Sequence, residues 1–382
     1  MATRTLRIAL DGATGRLGSS QHVRALTDIR AEGGLPLASG DRLLPEPVLL
    51  GRNPEKLAAL AAANGGLAWS TDRDALLADP GIAIYFDAVA TAGRAERALA
   101  ALAAGKHVYL EKPIASSLDE AMGLVLAAER AGVKHGVVQD KLFLPGFAKL
   151  ARVRRSGALG RILSAKLDFG WWVFDGIFAP AQRTSWNYRK AGGGGLVLDM
   201  FPHWRYLIEG LVADIRAVSC RIATAVPQRR DEAGQLFDVD VEDTVFATLE
   251  LDGGALMQVS CSWATRVRRD DMVVLQVDGS DGSAVCGLHR CVVQPLHATP
   301  KPAWNIAQER SESFYDQWQA VPELGPTVNS YRAGWELFLR HVAEDAPFPA
   351  PLVAGARGLQ LIDACYRSDR GRRWIDLPPI PG

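Results

Sequence analysis

The chain has 382 residues, room for two domains, and its 43 basic and 43 acidic side chains balance to zero net charge. No bulk charge therefore draws it to nucleic acid or to an anionic membrane, and no apolar run is long enough to span one. Five dispersed cysteines without a CxxC pair, seven histidines without metal-ligand spacing and no leader segment set the expectation: a cytoplasmic protein with reduced thiols and no metal.

Leu6 to Leu10 reads as a short apolar strand, and a helical pattern runs from Ser19 to about Arg30. Between them lies Gly12-Ala13-Thr14-Gly15-Arg16-Leu17-Gly18. Strand, glycine loop and helix are the context of a dinucleotide site, where glycine lets the backbone approach a pyrophosphate and the helix N-terminus offers unpaired N–H groups. Glu32 to Pro47 is rich in Gly and Pro and reads as an inserted surface hairpin; a flap over the adenosine or a subunit contact is the alternative. The next strand, Val48 to Leu50, leads to Gly51-Arg52-Asn53. A carboxylate here holds the ribose hydroxyls of NAD, whereas an arginine accommodates the 2′-phosphate of NADP. Arg52 therefore favours NADP(H), with NAD(H) still open and a water-facing arginine as the plain alternative.

Leu57 to Ala63 continues as helix, and Ile82 to Asp87 is the next strand, ending in Ala88-Val89-Ala90-Thr91. Helix Glu96 to Ala104, capped by Gly105, precedes strand Lys106 to Leu110. That strand breaks into Glu111-Lys112-Pro113, so a charged pair stands at its carboxyl end, where open α/β sheets bind ligands. Helix Leu118 to Ala131 and strand Lys134 to Gln139 complete this half.

Asp140-Lys141 follows, either a substrate contact or a local ion pair. Beyond it the pattern turns to long strands: Ile162 to Trp172, Ile215 to Val226, Thr244 to Leu251, Ala255 to Trp263 and Met272 to Val277. Asp252-Gly253-Gly254 is a hairpin signal between two of them. Strand after strand with few helices implies a large, mostly antiparallel sheet covered on one face. Between the first two lies Gly192 to Gly195 and then Leu198, Asp199, Pro202 and His203. Asp199 and His203 are four apart and share one face of a helix, with Pro202 expected in its first turn. A histidine titrates near neutrality and suits general acid/base work, and a carboxylate can orient it. An aromatic group precedes them: Trp171, Trp172, Phe174, Trp186 and Tyr188. Such faces stack on sugar rings, or pack in a sheet core. Trp335 to Glu344 and Gly355 to Tyr366 read as two amphipathic helices.

The run Ala104 to Pro113, AGKHVYLEKP, resembles the signature of the Gfo/Idh/MocA oxidoreductases. Gly193 to Gly195, Asp199 and His203 match a second block of that family, GGGxLxDxGxHxxD, with Tyr206 in place of its last aspartate. Phe143 and Pro145 match a third, NRRFxP, while Asp140 and Lys141 replace its Asn and Arg. Ala88 fits the family's ATPxxxH block, with Ala90 and Arg94 replacing its proline and histidine; Asn187 stands for the arginine of a Trp-Arg pair. The glycine loop is GxxGxxG, similar to that of dihydrodipicolinate reductases, but the EKP block and the Asp199/His203 pair are foreign to those enzymes.

The resemblance implies a Rossmann domain over 1–140 and an α/β catalytic domain with a large sheet over 141–382, the sheet serving as subunit interface in a homo-oligomer. It implies hydride transfer between a nicotinamide cofactor and a carbinol or ketone of a sugar, polyol or glycoside. Lys112, Asp199 and His203 are then catalytic. Gly12, Thr14, Gly15, Arg16, Leu17, Gly51, Arg52, Asn53, Ala88, Thr91, Glu111 and Lys112 face the cofactor. Asp140, Lys141, Trp172, Trp186, Tyr188 and His203 face the substrate. A cofactor-binding regulator without turnover, or a glycosidase that oxidises its sugar transiently, are the alternatives within the same resemblance.

Overall fold

The computed structural model describes residues 2–302, 304–309 and 312–380. The chain divides into two compact units. One holds Met1–Phe143, Val328–Gln360 and Pro379–Gly382; the other holds Leu144–Thr327 and Leu361–Pro378. The division read from the sequence, at 140 and 141, differs from this: the first unit runs on to Phe143, and Val328–Gln360 and the segment from Pro379 return to it. The reason is packing, since Trp335, Phe338 and Leu339 are buried in the core built by Ile8, Leu10, Leu26, Phe86 and Tyr109.

In the first unit seven strands form one sheet. They are β1 (Thr3–Asp11), β2 (Leu35–Pro36), β3 (Arg42–Leu50), β4 (Trp69–Ser70), β5 (Ile82–Asp87), β6 (His107–Leu110) and β7 (His135–Val137). All pairings are parallel except that of β2 with β3. Between the strands run α1 (Arg24–Ala31, after a π turn at Gly18–Val23), α2 (Pro54–Ala63), α3 (Arg73–Ala78), α4 (Arg94–Ala103) and α5 (Leu118–Ala131). The order β2-β3-β1-β5-β6-β7 reverses direction at β1. Such a switch point opens a crevice at the carboxyl ends of the strands.

β3 is nine residues long, not the three read from the sequence. Pro45 and Pro47 hid it, because proline cannot donate to a ladder. Leu49 N–H donates outward, to Ala68 O at 2.8 Å. By the period of two, Pro45 and Pro47 present the same outer edge, where β2 reaches only Arg42 and Leu43 and β4 only Leu49 and Leu50. No ladder bond is lost. The expected surface insertion is thereby corrected: Leu35 does pair with Leu43 as a hairpin, but Leu35, Leu37 and Leu43 are core residues.

The second unit opens with α6 (Pro145–Arg155), β8 (Ile162–Gly170), α7 (Leu196–Leu211) and β9 (Ile215–Ala223). A two-stranded pair follows, β10 (Gln228–Arg230) and β11 (Leu236–Asp238). Then come β12 (Thr244–Leu251), β13 (Leu256–Ser262), β14 (Val273–Gly279), β15 (Gly282–Cys286), β16 (Cys291–Pro295) and β17 (Gln319–Ala320). α8 (Ser330–Glu344) belongs to the first unit; α9 (Leu352–Gly371) precedes β18 (Ile375–Asp376). Nine of these strands form one sheet, ordered β17-β16-β15-β14-β8-β13-β12-β9-β18, antiparallel apart from β8 with β13. Along β12, Val245, Ala247, Leu249 and Leu251 are buried, while Phe246 and Glu250 on the opposite face are exposed. One covered face and one open face is the pattern that this alternation dictates.

α7 starts where Glu242 caps it. Leu196 N–H donates to Glu242 O at 3.1 Å, and Val197 N–H to Glu242 Oε1 at 2.8 Å. A Cβ on Gly195 would lie 2.7 Å from that carboxylate, and Gly195 holds φ 120, so only glycine fits. Pro202 therefore falls inside the helix rather than in its first turn.

Candidate active site

The glycine loop sits at the switch point of the first sheet. Gly12 N–H donates to Leu50 O at 3.1 Å, and Ala88 N–H to Asp11 O at 2.9 Å, so β1, β3 and β5 all meet there. A Cβ on Gly18 would stand 2.2 Å from Gly12 O, so only glycine lets the helical segment close on the loop. Gly15 and Arg16 are exposed and Thr14 and Leu17 half-buried. These features fit a dinucleotide whose pyrophosphate rests on Gly12–Leu17. At the end of β3, Arg52 is exposed and makes no ion pair among the described residues. Asn53 Oδ1 caps α2, accepting from Lys56 N–H at 2.9 Å.

Lys112 stands in a turn shaped from two sides. Glu111 is buried: its Oε1 meets His22 Nε2 at 2.9 Å, and its Oε2 accepts from Lys112 N–H at 3.1 Å. Trp335 Nε1–H donates to His22 Nδ1 at 3.1 Å. Indole can only donate, so Nδ1 accepts and the imidazole carries its proton on Nε2, aimed at Glu111. Burial pushes the Glu111 carboxyl up, but the His22 bond and the charges of Lys112 and Arg94 outweigh it, and the net direction is down. Glu111, expected at the cofactor, thus spends both oxygens inside the protein. From the other side comes Arg94, also buried. Its Nη1 donates to Glu111 O at 3.0 Å and Pro113 O at 2.5 Å, its Nη2 to Val89 O, and its Nε to Asp87 Oδ1 at 3.1 Å. Arg97 Nε bonds the other Asp87 oxygen at 2.7 Å. Thr91 is half-buried, its carbonyl accepting from Arg94 N–H at 3.0 Å. The Lys112–Pro113 peptide is cis.

Asp140 is buried and pairs with Lys141, and the Tyr331 hydroxyl bonds the same carboxylate. Burial, with Asp140 and Glu111 nearby, pushes that hydroxyl up. The ion-pair reading of Asp140-Lys141 is therefore realised.

In the second unit Asp199 and His203 lie on α7. Arg183 Nη2 donates to Asp199 Oδ2 at 2.6 Å. His203 is buried, and its Nδ1 meets Tyr206 Oη at 2.7 Å, so the tyrosine that replaces the expected aspartate still partners the histidine. Of the aromatic group, Trp186 is exposed and Trp172 half-buried beneath the Arg266 guanidinium, 4.4 Å from its ring centroid. Tyr188 is 2% exposed, packed between Trp263 and the Arg229 guanidinium. Its hydroxyl is pushed up by burial. That is core packing, with no accessible ring face. Nothing in the sequence pointed to His22 or Arg183, while Arg94 and Tyr206 stood out only as replacements in the family's blocks.

Comparison with known proteins follows the same division. Residues 6–139 match the oxidoreductase family with an NAD-binding Rossmann fold, and residues 147–285 match the GFO/IDH/MocA C-terminal domain. The chain is 45% identical to a D-xylose dehydrogenase of Paenarthrobacter nicotinovorans over 383 residues, covering 99% of both chains. It is 30% identical to a levoglucosan dehydrogenase of Pseudarthrobacter phenanthrenivorans, covering 87% of this chain and 90% of that one. In fold it is similar to a levoglucosan dehydrogenase solved with NADH and L-sorbose, with a TM-score of 0.81 and 24% identity over 99% of this chain and all of that one.

Proposed function

The chain belongs to the Gfo/Idh/MocA family of NAD-binding oxidoreductases, and from that premise we propose that it oxidises a carbinol of an aldopentose of the D-xylose type. The observation that carries the substrate class is the 45% identity to a D-xylose dehydrogenase along 99% of both chains. Gly12–Leu17 hold the pyrophosphate, and Ala88 and Thr91 line the cofactor crevice. A nicotinamide bound there would supply the hydride acceptor. Lys112 donates a hydrogen bond to the reacting oxygen. His203, whose Nδ1 meets the Tyr206 hydroxyl at 2.7 Å, takes the proton. Asp199 orients the imidazole. A positioned base of this kind contributes about 10²–10⁴ in rate. Trp172 and Trp186 flank the sugar.

The test is a panel of aldopentoses, aldohexoses, polyols and a 1,6-anhydro sugar, assayed with both nicotinamide cofactors by their absorbance change. D-Xylose is expected to give the highest kcat/KM. Preference for the anhydro sugar would move the assignment toward the levoglucosan dehydrogenases. Cofactor binding without turnover on any carbinol would mark a regulator.

The finer cofactor assignment is NADP(H), because Arg52 offers a cation with no acidic partner among the described residues. Arg52→Asp should weaken NADP(H) more than NAD(H), read by fluorescence titration. A wild type that binds NAD(H) more tightly sinks this assignment. The enzyme works in the cytoplasm: its five cysteines are free and buried. No helix among the described residues is long and apolar enough to cross a membrane. It assembles as a homo-oligomer through the open sheet face, where Phe246 and Leu256 are exposed. Light scattering should give a mass above one chain; a monomer at micromolar concentration refutes this.

A further inference from the structure

We propose that Arg183 is a positioning residue for the reaction: it fixes the carboxylate of Asp199, and through it the imidazole of His203. The inference rests on the roles given to those two residues above. Arg183 lies in an irregular segment between β8 and α7, where neither helix nor strand holds a side chain in place. Its guanidinium is nevertheless held on three sides. Nη2 donates to Asp199 Oδ2 at 2.6 Å and to Asn187 Oδ1 at 2.9 Å. Its Cζ lies 4.2 Å from the ring centroid of Trp263, which is fully buried.

Asn187 is buried, and its orientation is settled. Its Nδ2 donates to Thr184 O at 2.9 Å and Thr184 Oγ1 at 3.0 Å, so Oδ1 must face Arg183. The cation is thus built into place before it meets Asp199. An arginine normally loses much rotamer freedom in making one contact. Here a rigid platform and a fixed acceptor have already removed it.

The pair is half-exposed, with 22% of the Arg183 side chain and 31% of the Asp199 side chain accessible. Pairs of that kind add little to stability. A preorganised arginine with so little stabilising return is better explained by what its partner does. Asp199 and His203 are one helical turn apart. A carboxylate left to its own rotamers would orient the imidazole only part of the time. Arg183 holds its Oδ2 at 2.6 Å.

The experiment is steady-state kinetics with D-xylose on Arg183→Ala, Arg183→Lys, Asp199→Asn, His203→Asn and the double variant Arg183→Ala/Asp199→Asn. Arg183→Ala should lower kcat by up to about 10²-fold, the scale of a misplaced catalytic group. The sugar KM should stay within a few-fold. In the Asp199→Asn background the same change should cost little further, because the two act as one unit. Added guanidinium should restore part of the Arg183→Ala rate and none in the double variant, which a folding defect would not imitate. Arg183→Lys should recover less than arginine, since an ammonium lacks the planar fork. Additive losses, or a raised KM with kcat intact, overturn the inference while leaving Asp199 and His203 in place. Full turnover in both Asp199→Asn and His203→Asn overturns the underlying reading, and the inference with it.

Discussion

Counting donors explains why a glutamate, not a glutamine, stands at 111. His22 Nε2–H and Lys112 N–H both point at its side chain and both need an acceptor. An ionised carboxylate accepts through both oxygens, whereas an amide accepts through one and donates through the other. Glu111→Gln therefore leaves one buried donor facing an NH₂, whichever way the amide turns. An unsatisfied buried donor costs about 1–3 kcal/mol. A melt should show a lowered Tm, and kcat should fall because the peptide that carries Lys112 is no longer held. Lys112→Ala sets the lower limit for that fall. Unchanged kcat in Glu111→Gln would show that the turn keeps Lys112 in place without this bond. Lys112, Asp199 and His203 could be singled out as candidates because each stands in a contiguous block of residues. His22 was not: its partners are 89 and 313 residues away, and no local pattern reports a bond across that distance.

At the scale of elements, periodicity reported the structure where it was clean. α5 and β12 begin and end as read. It failed where a special residue had its local meaning overridden. Pro45 and Pro47 argued against a strand, yet they lie on an edge without a partner. β17 and β18 are two residues each, too short for any alternation to show. The π turn at Gly18–Val23 was likewise invisible; its first residue, Gly18, packs closely on the glycine loop. That packing gives a prediction. Gly18→Ala would put a Cβ 2.2 Å from Gly12 O and 3.0 Å from Ala13 O, both backbone atoms that cannot rotate aside. The loop must move. Overpacking of this kind costs about 1–3 kcal/mol, and the pyrophosphate cradle moves with the loop. Cofactor Kd should rise more than about tenfold, a change of 1.4 kcal/mol. An unaltered titration curve would separate the loop from cofactor binding.

For the molecule as a whole, stability against pH turns on two histidines of the first unit. His107 Nδ1 accepts from Lys134 N–H at 3.0 Å, and His135 Nδ1 accepts from Leu352 N–H at 3.2 Å. Each is held below the ordinary 6.5, first by burial and then by the charges of His341 and Lys134. Glu129 opposes this at His135. The folded form therefore resists a proton that the unfolded chain accepts. Between the two values the unfolded chain binds more protons, so stability is full above about 6.5 and falls as pH drops through the lower folded values. Glu111 adds a second loss, below the ordinary 4.5, because its folded value is depressed. Glu242 acts in the opposite sense. Burial raises its carboxyl despite bonds from Val197 and Tyr366, so its protonation relieves the folded state. In the unfolded chain the histidines take up protons from about 6.5 downward, before the ordinary carboxylate range is reached. Tm should decline as pH falls from about 6.5 to about 5.5. The double variant His107→Asn/His135→Asn places an amide oxygen where each Nδ1 accepts and removes the titration. Its decline over the same interval should be smaller. If the variant and the parent lose Tm equally, the acid sensitivity lies elsewhere and the two imidazoles do not govern it.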